Sequence, residues 1–179
     1  MATHSLISNI TVGSNKAQTI VFNNIPQTYR DLKVIASVRN DTANGATLTY
    51  TLNTDTTSDY YISEYMQQPD FYPTGNYVGV YPYGVSIRGA GIPGSSGTPT
   101  PTSATGTFQS FYMYIPQYVD AGAKSIIYKT FGFNNQMNIG CTRWMNNGPI
   151  TSITFSIHYN ATYSFAQYTS FSLYGISNK

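Results

Sequence analysis

Apolar and polar residues alternate along most of this chain. Between residues 46 and 53 the even positions are Ala46, Leu48, Tyr50 and Leu52, and the odd ones are Thr47, Thr49, Thr51 and Asn53. Residues 153–159 carry Ile153, Phe155, Ile157 and Tyr159, separated by Thr154, Ser156 and His158. Leu32, Val34, Ala36 and Val38 alternate with Lys33, Ser37 and Arg39, and Ile35 breaks the rule. A sheet buried on one face produces this period-two pattern. No run of i, i+3, i+4 apolar spacing is long enough for a helix. The pattern predicts strands at 6–12, 19–23, 32–39, 46–53, 60–65, 77–81, 107–115, 124–133, 150–160 and 169–175. Turn signals fall between them, among them Gly13-Ser14-Asn15, Asn44-Gly45, Pro73-Thr74-Gly75-Asn76 and Asn147-Gly148-Pro149. Eight to ten strands joined by short polar turns predict an all-β fold, an antiparallel jelly-roll-like β-sandwich in a single domain over 1–179. An immunoglobulin-type sandwich is the alternative, and the Cys…Trp…Cys framework it favours is missing.

One stretch departs from the pattern. Residues 84–106, G-V-S-I-R-G-A-G-I-P-G-S-S-G-T-P-T-P-T-S-A-T-G, have few large apolar groups to bury and are expected to form a long exposed loop. The segment before it is aromatic. It holds Tyr60, Tyr61, Tyr65, Phe71, Tyr72, Tyr77, Tyr81 and Tyr83, interrupted by Pro69, Pro73 and Pro82. Tyrosine has an apolar body and a polar tip, so it anchors interfaces at small entropic cost. These eight aromatics, with Arg88 and Trp144, form the candidate interface, either a subunit contact or a sugar-stacking surface. The same tyrosines can also be sheet-packing pairs.

Composition sharpens this picture. Only 9% of residues are charged, against about 25% in an ordinary domain. Thr, Ser, Asn, Gln and 17 Tyr take their place, giving a neutral, hydrogen-bonding surface suited to a partner that stays bound. The net charge of +2 is spread along the chain without a basic run, which argues against nucleic acid as a partner. Cys141 is the only cysteine, so an intrachain disulfide is excluded. No apolar run approaches the roughly 20 residues of a membrane-spanning helix, and the N-terminal residues do not read as a signal peptide. The single cysteine fits synthesis in a reducing cytoplasm, and no membrane partner is expected.

Chemistry finds little to work with. His4 and His158 are the two histidines, His4 near a terminus expected to be loose, and neither lies in a zinc-ligand spacing. Asp41, Asn53, Asp55 and Asp59 fall in turn regions open to calcium, but no D-x-D-x-D-G arrangement is present. Gly94-Ser-Ser-Gly97 is a poor imitation of a nucleophile elbow, and Gly89–Gly94 mimics a phosphate-binding glycine loop with no helix after it. Cys141 beside Arg143 reads as a small packing residue. No catalytic, cofactor or metal residues are assigned, and an enzyme is not expected.

Two motifs remain. Ile20–Leu32, I-V-F-N-N-I-P-Q-T-Y-R-D-L, carries Phe22, Asn24, Ile25, Pro26, Tyr29 and Leu32 and runs on to Arg39. Near the other end stand I-T-S-I-T-F at 150–155 and Ser170-Phe171-Ser172-Leu173-Tyr174-Gly175-Ile176. Pro26 removes a ladder donor, so a strand has to end there, and it pushes Ile25 toward extended geometry. Tyr29 is spaced to fold back on the corner, and Tyr174-Gly175 lets a last strand bend and dock. The pair of motifs resembles small structural proteins of tailed bacteriophages, cyanophages included. The resemblance covers the two ends of the chain and leaves 41–147 unmatched. It implies a virion protein on the capsid surface that decorates or cements the head by bridging major capsid subunits, as a homotrimer or homodimer. The alternative it implies is the head of a tail or head fibre that binds a host glycan.

Overall fold

The computed structural model describes residues 2–41, 46–55, 60–67, 86–92, 106–131, 137–158 and 163–178. The described chain is all β, with eleven strands. They are β1 (Ala2–Thr11), β2 (Thr19–Phe22), β3 (Asp31–Val38), β4 (Ala46–Leu52), β5 (Tyr60–Gln67), β6 (Ser86–Ile92), β7 (Gln109–Ile115), β8 (Lys124–Phe131), β9 (Met137–Trp144), β10 (Ile153–His158) and β11 (Ser170–Asn178).

The strands form two antiparallel sheets, ordered β1-β11-β3-β7-β8-β9-β5 and β2-β10-β4-β6. Without β5, β8 and β9, the remaining eight give β1-β11-β3-β7 facing β2-β10-β4-β6. Each successive strand of this set crosses to the other sheet, except β4 to β6, which stay together. That is jelly-roll order, two interlocked Greek keys. The additional strands β8, β9 and β5 widen one sheet beyond β7.

The inward residues of both sheets make one core. Phe155 of β10 sits at its centre, with ring centroids 5.8 Å from Phe111 of β7 and 4.8 Å from Phe171 of β11. Phe22 and Tyr50 complete the ring cluster at 6.5 and 6.4 Å. Edge-to-face and tilted packing of this kind adds to the gain from burial alone.

The two terminal motifs meet. Asn24 adopts a φ of 52°, a left-handed turn that asparagine tolerates, and it swings the chain out of β2. Ile25 is buried, and its N–H donates to the Thr151 carbonyl at 3.0 Å. The buried Tyr118 hydroxyl donates to the Pro26 carbonyl. Tyr29 then lays its ring on Gly175 so closely that a Cβ there would stand 2.2 Å from Tyr29 Cγ. The Arg30 N–H donates to the Ile176 carbonyl at 2.9 Å, and the ladder continues with Gly175 opposite Leu32. Leu32 and Leu173 are fully buried and Ile176 nearly so, while Pro26 faces solvent and Tyr174 is half-buried.

Three expectations need correction. Among the described residues the strands number eleven: nine of these were expected, and β6 and β9 were not. Residues 86–92, expected inside the long loop of 84–106, form β6 and pair with β4. The loop reading survives only as an expectation for 93–105, which lie outside the described residues, as does the strand expected at 77–81. His4, placed near a loose terminus, is held in β1 opposite Ile176.

Candidate interaction surface

The outer face of the seven-stranded sheet is built by the positions that alternate with the core. Register carries one row across six strands: Leu6, Tyr174, Lys33, Tyr114, Ile127 and Cys141. A second row runs Ser172, Ile35, Tyr112, Lys129 and Ile139. Strand alternation predicts polar residues here, yet Leu6 is 57% exposed, Ile35 45% and Ile127 43%. Lys33 Nζ lies 5.1 Å from the Tyr174 ring centroid, and Lys129 Nζ lies 5.9 Å from that of Tyr112. The lysine stems thus lie along the rings while their ammonium groups stay wet. Lys33 Nζ also donates to His4 Nδ1 at 2.9 Å.

The exposed charges described on this face have one sign. Lys33, Lys129 and Arg143 are basic, and Asp31 is the one carboxylate among its described residues. Asp31 is 4% exposed and fully engaged, accepting from the Tyr114 hydroxyl at 2.8 Å and the Gln117 N–H at 2.9 Å. Burial, helped by that bond and the Asp31 charge, pushes the Tyr114 phenol up to about 12.

The opposite side of the sandwich contrasts with this. The four-stranded sheet turns Thr49, Thr51, Thr154 and Ser156 outward from β4 and β10. Thr49 Oγ1 and Ser156 Oγ share a 2.7 Å hydrogen bond across the pair. Among the described side chains, the outer face of β4 and β10 is therefore a hydroxyl ladder, with Val21 of β2 (37% exposed) beside Thr154, and the other outer face is aromatic, aliphatic and basic.

The sequence candidates land elsewhere. Trp144 is fully buried, and its indole N–H donates to Asp55 Oδ2 at 2.7 Å, so it is a core anchor and takes no part in an interface or a sugar platform. Tyr60, Tyr61 and Tyr65 belong to β5, the edge strand paired with β9, and Arg88 belongs to β6. Phe71, Tyr72, Tyr77, Tyr81 and Tyr83 lie outside the described residues. Sequence reasoning missed Tyr112, Tyr114, Tyr174, Ile127 and Ile139. Its one available signal was Ile35, the apolar residue in a polar position.

The turn acids expected to be open to calcium are built into the fold. Asp55 receives Trp144, and Lys16 Nζ lies 3.0 Å from Asp41 Oδ2. Asn53 Oδ1 accepts the N–H groups of Thr151 and Ser152 at 2.8 and 3.1 Å. Asp59 lies outside the described residues. Among the described residues no three His, Cys, Asp or Glu side chains are grouped to hold a metal ion. Cys141, read as a packing residue, is instead exposed on the outer face beside Ile127. No protein-family model matches this chain, and no curated protein matches its sequence.

Proposed function

We propose that this chain is a virion structural protein, a capsid decoration or cement protein that docks on the major capsid protein through the outer face of its seven-stranded sheet. The asymmetry of the two outer faces carries the reading. Water solvates the Thr/Ser ladder of the smaller sheet well, whereas Leu6, Ile35, Ile127 and the three tyrosines gain by being covered. Lys33, Lys129 and Arg143 favour a partner surface bearing carboxylates, and they oppose face-to-face pairing of two copies. A homotrimer or homodimer at a local capsid axis is then built from other surfaces, leaving this face for the capsid. The terminal motifs, which resemble those of tailed-phage structural proteins, agree with this reading. The alternative of a glycan-binding fibre head, resting on residues 60–83 and Trp144, loses its tryptophan to the core.

The test is binding of purified protein to capsids from which it has been stripped. An Ile35→Glu/Ile127→Glu variant is expected to fold with stability within about 0.5 kcal/mol of wild type per exposed site. Its capsid occupancy at limiting concentration is expected to fall by about tenfold or more. Occupancy equal to wild type would remove the face from the account.

A further inference from the structure

At one end of the sandwich, four chain segments are tied into a preformed cup. The segment before β11 forms its centre. The Phe165 N–H donates to the Ala17 carbonyl at 2.7 Å, the Ala166 N–H to Arg39 at 2.9 Å, and the Tyr168 N–H to Val12 at 2.9 Å. Asp41 closes the far side: its N–H donates to the Ser164 carbonyl at 2.9 Å, and its Oδ1 accepts the Ser164 N–H at 2.9 Å. Thr169 Oγ1 clamps the base by donating to the Arg39 carbonyl at 3.0 Å and accepting the Arg39 N–H at 3.1 Å. The cup has a volume of about 370 Å³, within the range of about 300–1,000 Å³ typical of small-molecule sites.

Its lining combines an aromatic ring with both kinds of hydrogen-bonding group. Tyr168 is 69% exposed, the most exposed large apolar side chain among the described residues. It is held at a φ of 70°, where a bulky residue is an outlier and glycine would be unstrained. Such strain costs roughly 1–3 kcal/mol and persists where the surroundings enforce it. Lys16, Arg39, Asp41, Phe108 and Gln167 line the same cavity. Arg39 donates through Nη1 to the Thr107 carbonyl at 3.2 Å, and Lys16 is paired with Asp41. Both cations are thus already engaged, which weakens the site for a bare phosphate. Donors, a carboxylate and an amide that does both work suit a ligand whose groups also donate and accept.

We propose that this cup binds a saccharide unit, with the C–H face of a pyranose against the Tyr168 ring and its hydroxyls toward Asp41, Lys16 and Gln167. The ligand class follows from the chemistry: an apolar face and a rim of hydroxyls matched to one exposed aromatic and paired charges. The site is separate from the outer sheet face, so it stands or falls independently of capsid docking.

The experiment is saturation-transfer NMR on the full chain, with methyl glycosides of neutral hexoses and of uronic and sialic acids at millimolar concentration. Inorganic phosphate and a nucleoside serve as competing probes. Saturation transfer to at least one sugar is expected, and Tyr168→Gly is expected to weaken it by about tenfold. The same variant relieves the backbone strain, so its melting temperature is expected to hold or rise. Loss of binding with retained stability identifies a ligand platform. No transfer to any sugar, transfer to the nucleoside or phosphate alone, or undiminished transfer in Tyr168→Gly would each overturn the proposal.

Discussion

Gly175 and Tyr29 show most directly how single residues join the two ends of the chain. The ring occupies the place where any other side chain at 175 would start, since a Cβ would meet Tyr29 at 2.2 Å. Glycine is needed at 175 for space rather than for backbone freedom, because its φ lies outside the left-handed region. Gly175→Ala should cost about 2–3 kcal/mol through overpacking. In a Tyr29→Ala background the same change should cost less than about 1 kcal/mol, a coupling that urea denaturation of the double-mutant cycle measures. Additive costs would mean that the motifs do not lock together.

Tyr114 makes a second residue-scale prediction. Its phenol is raised to about 12 in the folded protein, against about 10 in an unfolded chain. A raised folded value contributes stability that is complete below about pH 10 and is lost as pH climbs toward 12. Between those limits wild type should lose stability more steeply than Tyr114→Phe, as denaturant midpoints across the range would report. Parallel curves would show that burial and the Asp31 bond do not together hold the proton.

At the scale of elements, what could be read in the sequence followed the contrast between faces. β3, β4 and β10 set a buried face against a more polar one, so their alternation was plain, Ile35 aside. β9 inverts that contrast. Its inward positions are Gly140, Thr142 and Trp144, while Ile139 and Cys141 point outward. Gly140 sits inward because the Tyr128 ring, directly across in β8, would meet a Cβ at 2.2 Å. The period-two signal therefore vanished although the strand did not. β6, S-I-R-G-A-G-I, has two glycines and no aromatic, and by composition resembled the loop around it. The outer face was missed for a related reason: its tyrosines look polar in a pattern, and only their register across six strands assembles them. Trp144 was misjudged because an aromatic in a polar neighbourhood suggested a platform, whereas Asp55 satisfies its N–H inside the core. Trp144→Ala should therefore cost about 3–5 kcal/mol in a melting experiment. A near-neutral result would return the residue to the surface.

At the scale of the whole molecule, the jelly-roll order explains how chain ends so far apart in sequence reinforce each other. β1 and β11 are neighbours, and β11 bridges β1 to β3, so the termini are sewn into one sheet. The three added strands β8, β9 and β5 widen that sheet on its far side, which gives its outer face two of the exposed isoleucines, Ile127 and Ile139, and two of its three basic residues, Lys129 and Arg143. Low charge, a mainly hydroxyl face on one side and a basic, aromatic face on the other are the basis of the proposed docked and wet sides. The terminal motifs specify the sandwich corner and its closure, while the sides follow from which residues occupy the polar parity of each strand.

Copy number in intact particles bears on this account most directly. The proposed decoration role predicts that quantitative mass spectrometry of purified virions finds this chain in a fixed, high ratio to the major capsid protein. Its absence from particles, or its presence in the few copies of a fibre, would contradict the decoration role.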